Sequence, residues 1–459
     1  MSLLLYPKLN ELDRQIDEVD GRIYNPIYGV YWDKTSTSAL TRTHDAVGMS
    51  AAVGVGGAWA VNDFDRAEIF GEMGPVTDTL GNTFIRVPKF YIKKTDGVGF
   101  KTWQVSKKQY PGFYRRACFW DFTNSRELEY VDIGKYKASL ATTKLASVSG
   151  VPPLVSTNIV NMRTYAQNNN TGGLLGYQQL DIHVYDIIRT LMFVEFANLD
   201  VQAIMQGYTT GRYGIETELA TANTVSGNYI DVSNATGAQY RVGQTISVGT
   251  ARYGTQVFYG RTITVISADT PAAGTTRITF DGAPVSISTG NFLQNTGAVS
   301  GFSAGIAASS GIIGDNSSGK YPCMYRGIES PFGDIWQFVD GVNISDWQAW
   351  VCRNAEGYAS NVFASPYEQL SYVNHNANNY VQATGYDANN PFAEFPTAVS
   401  AVGGSGYKDY YYQTNGERIA LVGGPWYIGA DAGVSHWNLI NSSASASVAV
   451  GGRLIRKAL

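Results

Sequence analysis

Only one stretch of this 459-residue chain sustains a long helical period, Val184–Gln206. Ile187, Ile188, Leu191, Val194 (with Phe193), Val201 and Ile204 recur near helical spacing, and Gly207 supplies a stop signal. Asp186, Arg189, Glu195 and Asp200 interrupt the apolar run, so it reads as a core helix and not a membrane span. Most of the rest is broken by 50 Gly and 15 Pro into short pieces, which excludes a helical bundle and leaves a turn-rich, mostly β protein. The length allows about three domains. A 44% hydrophobic content is enough for a sizeable core and excludes wholesale disorder.

The N-terminus carries a second, shorter pattern. Leu5, Leu9, Leu12, Ile16, Val19 and Ile23 alternate steps of four and three, and Pro7 and Gly21 suit the two ends of a helix. Two and a half heptads are marginal alone, so residues 1–25 are expected to be an oligomerising helix, most simply trimeric, the alternative being a helix packed on its own domain. Residues 26–145 read as a β-rich N-terminal region. In it, Arg86–Lys93 is a strand that Pro88 places at an edge, followed by an Asp96-Gly97 hairpin turn.

Residues 219–297 differ in texture: rich in Thr, Val, Ile, Ser and Gly, and without Trp. Tyr229–Val232, Thr245–Val248, Arg261–Ile266 and Arg277–Phe280 alternate as strands do, separated by turn signals such as Asp281-Gly282. This is the pattern of a small barrel or sandwich inserted into a host domain. After Ala298 the texture changes again, to dense Gly, Asn, Tyr and Trp with fading periodicity. Asn354–Asn390 holds eight Asn, four of them around His375, and reads as an irregular surface loop able to bind.

Composition narrows the function. Lys and Arg total 34 against 38 Asp and Glu, and only 16% of residues are charged, against about 25% usually. No basic stripe marks a nucleic-acid binder, and no apolar run is long enough to span a membrane. The four His lie in no zinc spacing, no GxSxG elbow occurs, and Gly54–Gly57 and Gly403–Gly406 do not have phosphate-loop spacing. Cys118, Cys323 and Cys352 form no CxxC pair and read as small buried hydrophobes. No cofactor or metal is expected. Asp334 and Asp340, flanking Trp336 and Phe338, are the pair a glycosidase would use if this were an enzyme, although capping turns is the more ordinary role for them. The 30 Tyr and 9 Trp fit a chain that presents aromatics to a partner.

Several segments resemble a known family. Near the N-terminus these are Gly29–Lys34, Leu40–Gly48, Gly71-Glu72-Met73 and Arg86–Tyr91. Toward the C-terminus they are Arg326–Glu329, Gly333-Asp-Ile-Trp-Gln-Phe-Val-Asp-Gly341, Asp409–Tyr412, Arg418–Gly424, Trp426, Ala432-Gly433 and Gly452–Lys457. In this order they are similar to phage tail-tip receptor-binding proteins with a C-type-lectin-like fold, a group that includes variable proteins of diversity-generating retroelements. The Gly333–Gly341 stretch is similar to the GNxWEWxDG signature of that superfamily.

The resemblance implies a C-type-lectin-like receptor-binding domain from residues 146–218 and 298–459, with Gly452–Lys457 as a last strand pairing back into a sheet. It also implies a binding face just before that strand: Trp426, Tyr427, Asp431, Ser435, His436, Trp437, Asn438 and Asn441, with Tyr411 and His375 beside it. The partners implied are a bacterial surface receptor, glycan or protein, other tail or baseplate proteins, and two further copies of the chain. The location implied is the tail tip or tail fibre of a virion. The cysteines do not match the paired cysteines of the superfamily's formylglycine-generating enzymes, and the calcium motifs of sugar-binding lectins are absent. The expected function is therefore a non-enzymatic adhesin. The alternatives are a tail-associated glycan hydrolase and a purely structural baseplate protein.

Overall fold

The computed structural model describes residues 25–34, 37–212, 217–252, 254–313, 319–401 and 406–459. The N-terminal heptad pattern lies outside the described residues, as do Asn316–Ser318 and Gly403–Ser405. The described chain is mostly β and includes a nearly closed β barrel.

Helix α1 (Ile159–Gln167) is capped by Asn158, whose side chain accepts from the Asn161 amide. Helix α2 (Ile182–Phe196) is the expected long helix, but it is shorter than its period suggested. Asp181 caps it by accepting from the Val184 amide, and Ala197 turns left-handed at its end (φ 50°). The pattern breaks there because Asn198 and Asp200 bond the local backbone instead: Asn198 accepts from the Asp200 amide, and Asp200 caps a new 3-10 turn at Val201–Ala203. Gly207 is therefore not the stop.

All fifteen residues of α2 are buried. Strands from both ends of the chain surround it: Ile27–Asp33 and Phe100–Ser106 from the N-terminal part, Trp336–Ser345 and Asn390–Ser400 from the C-terminal part. Trp103 meets Phe193 edge-on at 5.4 Å, and Tyr185 meets Trp437 in the same way at 5.4 Å. One apolar core thus runs from Tyr28 to Ile455, across the boundary expected at residue 145.

The charged residues of α2, Asp186, Arg189 and Glu195, are also buried, each with a partner. Lys94 Nζ lies 2.5 Å from Asp186 and 3.0 Å from Glu394. Arg116 reaches Asp186 (2.7 Å), and Arg189 reaches Glu394 (2.8 Å). At the other end of the helix, Glu195 takes two bonds from Arg326 (2.6 and 2.7 Å) and one from the Asn62 amide (2.7 Å).

The largest sheet runs, in spatial order, Glu368–Val373, Gln348–Val351, Trp336–Ser345, Glu417–Gly423, Gly433–Leu439, Tyr410–Gln413, Asn379–Asp387 and Asn390–Ser400, with Val450-Gly451 pairing beside Trp336. Trp336 and Phe338 share one face, as the sequence predicts, and both are buried against α1 and its neighbours. The Asn-rich segment is not simply an irregular loop: its second half is the 379–387 strand of a long hairpin. Register shifts at Val381/Ala383, Ala383/Thr384 and Tyr386/Asp387 break its period of two, so no alternation shows in the sequence.

The C-terminal strand Leu454–Lys457 does pair back into a sheet, between Tyr130–Gly134 and Tyr177–Gln179. Arg86–Lys93 proves to be two strands: Thr83–Pro88 ends at the proline, and Tyr91–Gly97 begins beyond it. Thr83–Pro88 is an interior strand of its sheet, not an edge. The Asp96-Gly97 hairpin forms, with Gly97 paired to Phe100 and Gly99 at φ +78°.

Within residues 219–297 the strands Tyr229–Ser233, Thr275–Phe280, Gln256–Ser267, Thr245–Gly249 and Phe292–Asn295 form one sheet in that spatial order. Its twelve core residues all fall between Ala220 and Leu293.

Candidate functional site

The Tyr410–Gln413 strand alternates half-buried and buried residues. Tyr411 and Gln413 point inward, and the Tyr411 hydroxyl donates to the His375 carbonyl (2.9 Å). Tyr410 and Tyr412, one step either side, take the other face. The neighbouring Gly433–Leu439 strand runs parallel, with Tyr411 opposite Trp437 and Tyr412 opposite Asn438. The two faces therefore separate the aromatic residues cleanly. On the α2 side, Trp437 is enclosed by Tyr185 and Phe395, whose ring centroid is 4.7 Å away.

On the outer face the rings form a series that starts inside and ends half in solvent. Trp336 meets His436 edge-on (4.6 Å), His436 stacks with Tyr412 (5.6 Å, 28°), Tyr412 meets Tyr410 (4.7 Å, 44°), and Tyr410 meets Tyr380 (5.1 Å, 79°). Tyr380 reaches this position because Asn379–Asp387 pairs with the Tyr410 strand, placing Tyr380 directly opposite Tyr410. Its hydroxyl donates to Asp431 Oδ1 (2.9 Å). Tyr427 stands at the far side, perpendicular to the buried Trp426 at 5.5 Å.

The electrostatics follow from partial burial. Burial pushes the Tyr412 phenol up to about 12, with Asp431, Tyr410, Tyr427 and Tyr380 adding to the shift. Burial also raises the Asp431 carboxyl above the usual carboxylate range, opposed by the bond from Tyr380. His436 is fully enclosed and its imidazole is held down to about 3, so it is neutral at physiological pH. Beneath the cluster, Asp409 is buried, accepts from the Ser435 amide (2.6 Å) and is pushed well above its usual value, first by burial and then by Asp200 and Asp431.

Only part of the face expected from sequence is a surface. Trp426, Ser435, His436, Trp437, Asn438 and Tyr411 are buried, so they cannot touch a macromolecular receptor and serve packing instead. Asn438 closes a local turn, accepting from the Ile440 amide and from Asn441 Nδ2. Tyr427, Asp431, Asn441 and His375 remain part-exposed. His375 folds back to accept from the Ala377 amide (3.1 Å). Of these four, Tyr427 and Asp431 join the cluster. Its other members, Tyr380, Tyr410 and Tyr412, were not in the expected face. Strand alternation within Asp409–Gln413 was the signal for two of them: once Tyr411 is placed inside, Tyr410 and Tyr412 must point the other way.

The carboxylates considered for glycan cleavage face no groove. Asp340 is buried and held by two bonds from Arg163 (2.8 Å each). Asp334 is buried, accepts from the Ala298 amide (2.6 Å), and is raised to about 6 by burial. The three cysteines are free and buried. Among the described residues, no group of three or more His, Cys, Asp or Glu could hold a metal ion, and no helix is long and apolar enough to cross a membrane. No protein-family model matches the chain, and a search of curated proteins finds no match either.

Proposed function

We propose that this protein is an adhesin of a phage or phage-derived tail, recognising a bacterial surface receptor through the tyrosine cluster at Tyr380, Tyr410, Tyr412 and Tyr427. The observation that carries the reading is the cluster itself: four part-exposed tyrosines and one carboxyl gathered at the outer face of the largest sheet. Tyrosines supply a large amphipathic contact area at low entropic cost, which is why binding faces use them. Sheet strands hold Tyr380, Tyr410 and Tyr412, and the buried Trp426 packs against Tyr427, so little freedom is lost on binding.

The lectin-like fold assignment belongs to the same proposal. It draws support from Trp336 at the start of a central strand, and from a terminal strand that closes the molecule beside residues from its first third. On this reading the heptad pattern before residue 25 joins three copies, and repeated weak contacts add avidity. The protein acts without a cofactor and without catalysis.

The test is binding of the purified chain to a panel of whole bacterial cells, beside a Tyr410→Ala/Tyr412→Ala variant of unchanged thermal midpoint. Strain-selective binding that the variant loses supports the reading. Selective binding that the variant keeps moves the contact face elsewhere. Absence of binding across a broad panel favours a structural baseplate role.

A further inference from the structure

The geometry of the tyrosine cluster points to a ligand class, and this inference rests on the adhesin reading above. The rings are not coplanar. Tyr380 and Tyr410 meet at 79°, and Tyr410 and Tyr412 at 44°, so they make a corner and not a flat platform. A sugar ring stacks on a flat exposed face; a corner of π faces suits a compact group that several rings can touch together. Each ring face carries negative potential, and a desolvated cation over such faces is attracted to them.

Charge points the same way. Asp431 spends one oxygen on Tyr380, and among the described residues no basic side chain contributes to its electrostatic surroundings. Asp200 lies close enough to act on the buried Asp409 beneath the corner. The nearest basic residue in sequence, Lys408, stands 4.0 Å from Asp200. The corner is therefore aromatic and acidic, with neutral His436 behind it.

We infer that the Tyr380/Tyr410/Tyr412/Tyr427 corner, with Asp431, binds an alkylated ammonium group, of the kind that choline-substituted surface polymers carry. A primary ammonium fits less well. Its three N–H donors need three acceptors, and ring faces cannot replace the water it would lose. A quaternary head has no donors to satisfy and is only weakly hydrated.

The experiment titrates the full chain, followed by NMR or calorimetry, with three small probes: choline, ethanolamine, and 3,3-dimethylbutan-1-ol, the uncharged isostere of choline. The expected result is that choline binds at least about tenfold more tightly than either of the others. Asp431→Asn and Tyr410→Ala should each weaken choline about tenfold, whereas Tyr380→Phe, which keeps the ring, should change it less than about threefold. Thermal midpoints of all three variants control for folding.

Equal affinity for choline and its isostere would overturn the inference by showing a merely apolar corner. Tighter binding of ethanolamine, or no binding of choline at tens of millimolar, would overturn it as well. The two readings fail separately. If cell binding depends on Tyr410 and Tyr412 but choline does not bind, the face stands and the ligand class falls. If choline binds but cell binding ignores the tyrosines, the corner stands and the adhesin face falls.

Discussion

Glu195 sits at the last turn of α2 with no exposure to solvent, and Arg326 arrives from a left-handed backbone position (φ 42°) to meet it with two bonds. A buried ion pair of this kind adds little over a well-packed apolar pair, yet losing one partner strands the other charge at a cost of about 3–5 kcal/mol. Glu195→Ala should therefore lower unfolding stability by about that amount in urea titrations, while a Glu195→Met/Arg326→Met double variant recovers much of the loss. A single-variant loss under about 1 kcal/mol would show that the pair does not hold the helix end.

Asp409 gives a different residue-scale expectation. Its folded-state carboxyl is raised by burial, with Asp200 and Asp431 adding to the effect and Arg189 opposing it. Below about pH 3.9 both folded and unfolded states hold the proton, so there is no penalty. As pH rises, the unfolded chain releases its proton first, and stability declines until the folded carboxyl ionises too. Asp409→Asn keeps an acceptor for the Ser435 amide and removes the proton, so it should flatten that decline between about pH 4 and neutrality. An unchanged slope in pH-dependent thermal melts would contradict this.

Among elements, the outer face of the Gly433–Leu439 strand depends on how closely the backbone approaches Asp409. A Cβ added at Gly433 would lie 2.0 Å from Asp409 Oδ1, in a place where the carboxyl is already fixed by the Ser435 amide. Gly433→Ala must push the two strands apart. A loss of about 1–3 kcal/mol in stability is expected, with Tyr410 and Tyr412 displaced relative to His436. An aromatic-region NMR spectrum unchanged from the parent would sink the argument.

The same elements show what sequence made legible. A long helical period marked α2, and the alternating Thr/Val/Ile segments marked the 219–297 strands, because those patterns survive when elements are regular. The Asn379–Ser400 hairpin was hidden because its register shifts remove the period that would reveal it. The proposed binding face was legible only in part for a related reason. Aromatic residues near Trp426 and Trp437 attract attention by type, but type does not say which side of a strand they take. Burial on the α2 side claimed Trp437 and Tyr411, and the opposite parity left Tyr410 and Tyr412 outward.

At the scale of the whole molecule, two of the cores contrast: the largest one and that of the 219–297 sheet. The larger draws strands from both ends of the chain around α2, so it cannot be cut at any single point without losing part of the core. The sheet of residues 219–297 has its own core, and the chain enters and leaves it side by side: the Leu293 amide donates to the Glu218 carbonyl (2.8 Å), and Leu219 pairs with Phe292. Several contacts tie these residues to their host: Arg241 donates to the Lys320 carbonyl and lies over the Tyr321 ring (3.7 Å), and Lys320 donates to the Ala238 carbonyl (3.3 Å). Thr245 Oγ1 accepts from the Val299 amide (2.8 Å), and Tyr259 donates to the Val448 carbonyl (3.4 Å).

Because its ends already meet, joining Glu218 to Leu293 through a short Gly-Ser linker closes a small gap and leaves the larger core uncut. Loop-closure entropy changes only slowly with length, so the exchange costs little. The shortened chain should unfold in one cooperative transition with its midpoint near that of the parent's host core, and should retain the dependence of cell binding on Tyr410 and Tyr412. A separate 218–297 fragment should show its own cooperative melt. If the shortened chain fails to fold while the fragment folds, the Thr245 and Tyr259 contacts are part of the host's stability. If the fragment alone captures the cells that the full chain binds, the receptor face lies on the inserted sheet and not on the tyrosine corner.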